Sequence, residues 1–150
     1  MTISLQSINT SMVFGAEGAG LNQSEFLQKV KSGNHKDKVE AWYAAKAQKP
    51  ETIAVLADLI GSADPDTEKC AEECIAMIVH SVGKSTGGKR RGQVNKQLIE
   101  LVDPNKAPQS RMALRLLSLI AEGSHVSQIA QWLNNKDLFE DTVFCIERIP

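Results

Sequence analysis

Apolar residues in this chain return at steps of three and four, the spacing that lines one face of an α-helix. Ile53, Leu56, Ala57 and Ile60 follow this rule, as do Ala71, Ile75, Ile78 and Val82. Further along, Val94, Leu98 and Leu101 repeat it, then Ala113, Leu116, Leu117 and Ile120, then Val126, Ile129, Ala130 and Leu133. Phe139, Val143 and Ile146 close the series, while Phe26, Leu27 and Val30, then Val39, Trp42, Tyr43 and Ala47, open it. Strict apolar–polar alternation is scarce, so the pattern predicts an all-α protein.

Capping residues stand where the stripes begin and end. Asn22 is followed three positions later by Glu25, as in a capping box, and Gly33-Asn34 ends that short helix. Pro50 and Asp64-Pro65 suit first helical turns, because a proline there gives up an N–H that has no partner anyway. Asp103-Pro104 with Pro108, Ser124, and Asp137 with Glu140 mark later starts.

The helices so marked form pairs. Their A and B members are 37–47 with 50–61, 65–82 with 93–102, and 108–122 with 125–134. Ile60 to Ile78 and Val102 to Ile120 both span 18 positions, and Leu133 to Ile149 spans 16. A repeated helix pair implies stacked units, each covering its neighbour's apolar face. Segment 138–149 has the pattern of a further A member without a B partner before Pro150, which fits an array truncated at its C-terminus. Residues 1–20 hold no Lys or Arg and are broken by Gly15, Gly18 and Gly20, so a flexible or irregular arm is expected there.

The pairs between residues 37 and 149 resemble HEAT repeats. Asp64-Pro65, Asp103-Pro104 with Pro108, and Asp137 match the Asp or Pro that often precedes the family's A helix. Arg111-Met112-Ala113 with Leu116-Leu117 is similar to its Val-Arg-like step. The resemblance implies an α-α superhelix of about three helix pairs over residues 21–150, plus a leading helix and an unpaired last one, with A helices on the convex side and B helices on the concave side. It implies a scaffold or adaptor, although some relatives are bilin lyase-like enzymes, alkyl-base glycosylases or iron hydroxylases. The hydroxylases use His-Glu pairs. Here His35, His80 and His125 precede Lys36, Ser81 and Val126, so that activity is excluded.

Charge changes the picture in bands. Residues 29–49 carry six lysines against two acids, 50–82 seven acids against Lys69, and 83–106 six basic residues against two acids. The net charge of the whole is only −1, which argues against general nucleic-acid attraction. Alternating bands fit either an elongated partner or complementary stacking between units.

Candidate chemistry is sparse. The tract Gly83–Gly92 holds four glycines and no apolar residue, which predicts a loop before a helix at 93. Its Lys84, Lys89, Arg90 and Arg91 suit either a solvated loop or an anion and phosphate-backbone contact. A nucleotide loop is ruled out, since Ile78 stands where the motif needs its first glycine. Cys70 and Cys74 share a helix face but lack further ligands at usable spacing, so helix packing is the expected role and no metal or cofactor is implied. Trp42 sits on its stripe and is expected in the core. Trp132 flanks its own stripe, in line with Gln128, and suits either an exposed hot spot or packing against a following repeat.

These readings lead to a non-enzymatic scaffold that binds another protein through Asp58, Lys96, Gln128 and Trp132 on the B helices and through the basic tract. A lyase-like enzyme holding a small ligand is one alternative, and nucleic-acid or phosphate binding through the basic tract 83–92 is the other. With no apolar run of membrane-span length and three cysteines inside helical patterns, a cytoplasmic location is expected.

Overall fold

The computed structural model describes residues 20–61, 63–83 and 88–150. The predicted arm therefore lies outside the described residues except for Gly20, and so does Lys84. Among the described residues there are eight α-helices and no strand: α1 (Gln23–Val30), α2 (His35–Ala45), α3 (Thr52–Ala57), α4 (Pro65–Gly83), α5 (Lys89–Glu100), α6 (Ala107–Ile120), α7 (Val126–Ala130) and α8 (Phe139–Ile146). None is long and apolar enough to cross a membrane.

The helices begin largely where the capping residues stand. Asn22 accepts a hydrogen bond from the Glu25 N–H at 3.0 Å, and Asp64 one from the Thr67 N–H at 3.1 Å. After α3, Gly61 adopts φ +82°, the left-handed conformation that lets the chain turn toward α4. One start differs from the expected capping box. Asn135, not Asp137, accepts the N–H groups of Asp137 and Leu138, at 3.0 and 3.1 Å. An Asx-type turn thus leads into α8, because the Asn side chain reaches its own backbone two and three residues on.

Packing alternates along the chain. Each of α2, α4, α6 and α8 touches the next, α3 packs on α4 and α5, and α5 packs on α4 and α6. The groove residues of α2, 35–42, face 66–73 of α4. Those of α4 at 72–76 face 108–116 of α6, and Val79 and Gly83 face Leu119 and Ile120. Thus α2, α4 and α6 run in the same direction. At Gly83 an added Cβ would come 3.6 Å from Ile120 Cγ2, so α4 and α6 are close at their C-terminal ends.

One apolar core runs through the helices. Phe26, Ile53, Leu56, Ile75, Ile78, Leu98, Leu114, Leu117, Ile120, Ile129 and Leu138 are all fully buried within it. Helix α4 supplies its centre with eight buried residues over 19 positions. The three cysteines are also buried and free. Burial holds the Cys145 thiol up at about 11, and Cys74 is raised by its contact with Cys70 and by burial.

The helices differ widely in length, from five residues in α7 to 19 in α4. The B member expected at 125–134 is not one helix. A 3-10 turn at Gly123–His125, five residues of α7 and a second 3-10 turn at Gln131–Asn134 replace it. The start of this segment is fastened by its own side chains: His125 Nδ1 accepts the Glu122 N–H at 3.1 Å. Short 3-10 pieces of this kind are common at helix ends, where i→i+3 bonds tighten the chain.

Candidate interaction surface

Helix α2 turns its large side chains away from the core. Ala41 and Ala45 are its buried residues, packed where α1 and α4 approach closely. Val39 and Tyr43 lie on the opposite face, and Tyr43 is 61% exposed. Trp42 is half-buried beside them, its ring meeting Tyr43 edge-on with centroids 4.9 Å apart. The expected core position of Trp42 is thus corrected. Small alanines let the neighbouring helices approach, and the bulky residues are left outside that contact.

A groove follows on the α4 side of this face. It has a volume of about 370 Å³ and is walled by Lys38, Val39 and Trp42 from α2 and by Asp66, Lys69 and Glu73 from α4. Cys70 forms part of its wall. The Cys74 thiol beside Cys70 donates to it and, with the nearby Lys38 ammonium, holds Cys70 below the ordinary thiol value. Exposed apolar side chains continue along the alternate helices, with Leu119 on α6 and Phe139 and Phe144 on α8. Only Val55 among the large exposed apolar residues described lies on a B helix. The Arg148 guanidinium covers Phe144, 3.6 Å above its ring.

Part of the basic tract packs against other helices. Helix α5 begins at Lys89, inside the stretch read as a loop up to residue 92. Its first turn carries guanidinium arms that hold other helices. Arg90 Nη2 donates to the carbonyls of Lys46 and Gln48 at 2.7 and 2.9 Å, just past the C-terminus of α2. Arg91 Nε donates to the Ile120 carbonyl at 2.9 Å, which also accepts from buried Asn95 Nδ2 at 3.2 Å. Arg91 is also 3.7 Å from Glu122. These cations meet the negative ends of two helices, where carbonyls lack partners of their own. Gln109 does the same for α3, donating to the carbonyls of Ala57 and Ile60 at 2.6 and 3.3 Å. Arg90 and Arg91 are therefore part of the packing. Lys89 is exposed.

The other expected contact residues are spread over the B helices. Asp58 follows α3, Lys96 lies on α5 with its ammonium 3.8 Å from Glu100, and Gln128 lies on α7; all three are exposed. Trp132 is half-buried in the second 3-10 turn and packs against the edge of the core. No groove described here is lined by any of these four. Sequence reasoning missed Val39, Tyr43 and the α2–α4 groove as a surface. The available signal was Ala41 and Ala45, whose small size at helical spacing marks a close helix contact.

No protein-family model, curated protein or solved structure matches the chain.

Proposed function

We propose that the chain is a HEAT-like α-solenoid acting as a non-enzymatic scaffold that binds another protein through the face made by its A helices. The solenoid reading is supported by parallel α2, α4 and α6 touching in succession, with α3 and α5 packed against them. The observation that carries the binding reading is the outward face of α2, where Val39 and Tyr43 stand exposed beside half-buried Trp42. Solvent-facing aromatic residues cost free energy in isolation, and Tyr and Trp are favoured where partner surfaces meet. Lys38, Lys69, Asp66 and Glu73 give the adjoining groove the mixed polar rim of such a surface. This moves the expected interface from the B helices to the A helices.

The test compares partner capture by three forms of the protein. Val39→Glu with Tyr43→Glu is expected to abolish capture while shifting the unfolding free energy by no more than about 0.5 kcal/mol, since both sites are at the surface. Asp58→Lys with Gln128→Lys is expected to leave capture intact. The opposite result would return the interface to the B helices. Phosphate binding through the basic tract has less support, because Arg90 and Arg91 already hold helix carbonyls.

A further inference from the structure

A second groove lies between α4 and α6. Its volume is about 550 Å³, larger than that beside α2. Ala76, Met112 and Leu116 make its apolar floor, and Pro108 lies at one end. The two edges differ in charge. Glu72 and Glu73 stand on the α4 edge, both exposed and without an ion-pair partner among the described residues. Arg111 and Arg115 stand on the α6 edge, but both are drawn toward α8. Arg115 Nε is 2.9 Å and Arg111 Nε 3.7 Å from the Asp141 carboxylate. The cationic edge is thus largely satisfied within the molecule, whereas the anionic edge is not.

We propose that this groove is a docking site for an amphipathic helix of a partner protein, with its apolar stripe on Met112 and Leu116 and a basic edge toward Glu72 and Glu73. The proposal rests on the scaffold reading but uses a different groove from the one beside α2, the two sharing only Glu73 on their common α4 edge. Two parallel helices form a channel that a third helix can enter by placing its side-chain ridge between them. An extended segment would gain less, because no strand edge among the described residues offers it backbone partners. Met112 suits such a floor, since its unbranched thioether side chain adapts to different apolar shapes. A basic edge complements the unpaired carboxylates, and an acidic edge would be repelled by them.

The probe is a synthetic amphipathic peptide with leucines at i, i+3, i+4 and i+7 and lysines along one edge, followed by fluorescence anisotropy at low and high salt. Control peptides carry glutamate in place of lysine, or serine in place of leucine. The lysine-edged peptide is expected to bind saturably and to weaken with salt. Glu72→Lys, and separately Met112→Glu, should each weaken it by about tenfold or more. Val39→Glu with Tyr43→Glu should leave peptide binding unchanged, which separates this groove from the α2 surface. Melting curves on every variant confirm that it is folded. No binding, equal binding of the glutamate-edged peptide, or binding indifferent to Met112→Glu would each overturn the proposal. A peptide lost only with Val39→Glu and Tyr43→Glu would overturn it while leaving the scaffold reading in place.

Discussion

Arg90 shows how far a single side chain reaches in this molecule. Its guanidinium lies 44 positions along the chain from the Lys46 carbonyl that it holds. A charge-assisted hydrogen bond is worth about 1.5–3 kcal/mol where its carbonyl is shielded from water, as at the part-buried bond to Gln48, and less at the exposed bond to Lys46. Arg90→Ala is therefore expected to lower the unfolding free energy by about 1–3 kcal/mol in urea titrations. Arg90→Lys should recover little, since a point ammonium does not present the planar donor fork. An unchanged midpoint would free Arg90 for an anion after all. Two carboxylates carry a pH dependence at the same scale. Hydrogen bonding from Ser32, then from Lys29, holds Asp37 below the usual carboxylate range, and the Thr67 hydroxyl and N–H do the same for Asp64. A depressed folded pKa gives stability that is present above the unfolded value of about 3.9 and is lost as pH falls through the folded value. The melting temperature should therefore fall as the pH drops below about 4. Asp37→Asn with Asp64→Asn should flatten that drop, and an unaltered slope would assign it to other groups.

At the scale of elements, the existence of the helices was legible because period 3.6 is a strong local signal. All but one of the paired segments appear as single helices, although α3 at Thr52–Ala57 is half as long as the expected 50–61 and α5 starts at Lys89 rather than 93. Which face of α2 is buried was not legible. Apolar size points to Val39, Trp42 and Tyr43, while the packing chooses Ala41 and Ala45 because only small residues allow the close approach to α4. Ala41→Leu should accordingly destabilise by about 1–3 kcal/mol through overpacking, although leucine is the more apolar residue. A neutral result in thermal unfolding would restore the original assignment of faces. The start of α5 was hidden for a related reason. Gly88, Lys89, Arg90, Arg91 and Gly92 read as a loop locally, and their helical form is held by carbonyls at the ends of α2 and α6 that no short window contains. Of the proposed surface, the apolar residues were visible in the sequence and the grooves were not, because each groove needs two helices about thirty or forty positions apart.

The whole molecule is organised around α4, which packs against α1, α2, α3, α5 and α6. Helices α7 and α8 occupy one end, where the helical segments are five and eight residues long and 3-10 turns interrupt the first. Phe139 there is 49% exposed, and Val143 and Ile146 on the same stripe are only partly covered. A helical packing of this kind opens first where neighbours are fewest, since local stability follows local contacts. Native-state hydrogen exchange should therefore show the amides of Ile75, Ile78 and Leu117 exchanging only by global unfolding. Those of Ile129 and Thr142 should exchange through a smaller opening that depends less on denaturant. Ile78→Ala, with a fully buried side chain at the centre, should cost about 2–5 kcal/mol and speed exchange everywhere. Cys145→Ser, which buries a hydroxyl in α8, should speed exchange in α7 and α8 more than in α4. Equal acceleration of both regions would mean that the eight helices unfold as one cooperative unit, and that the α7–α8 end is held as firmly as the centre.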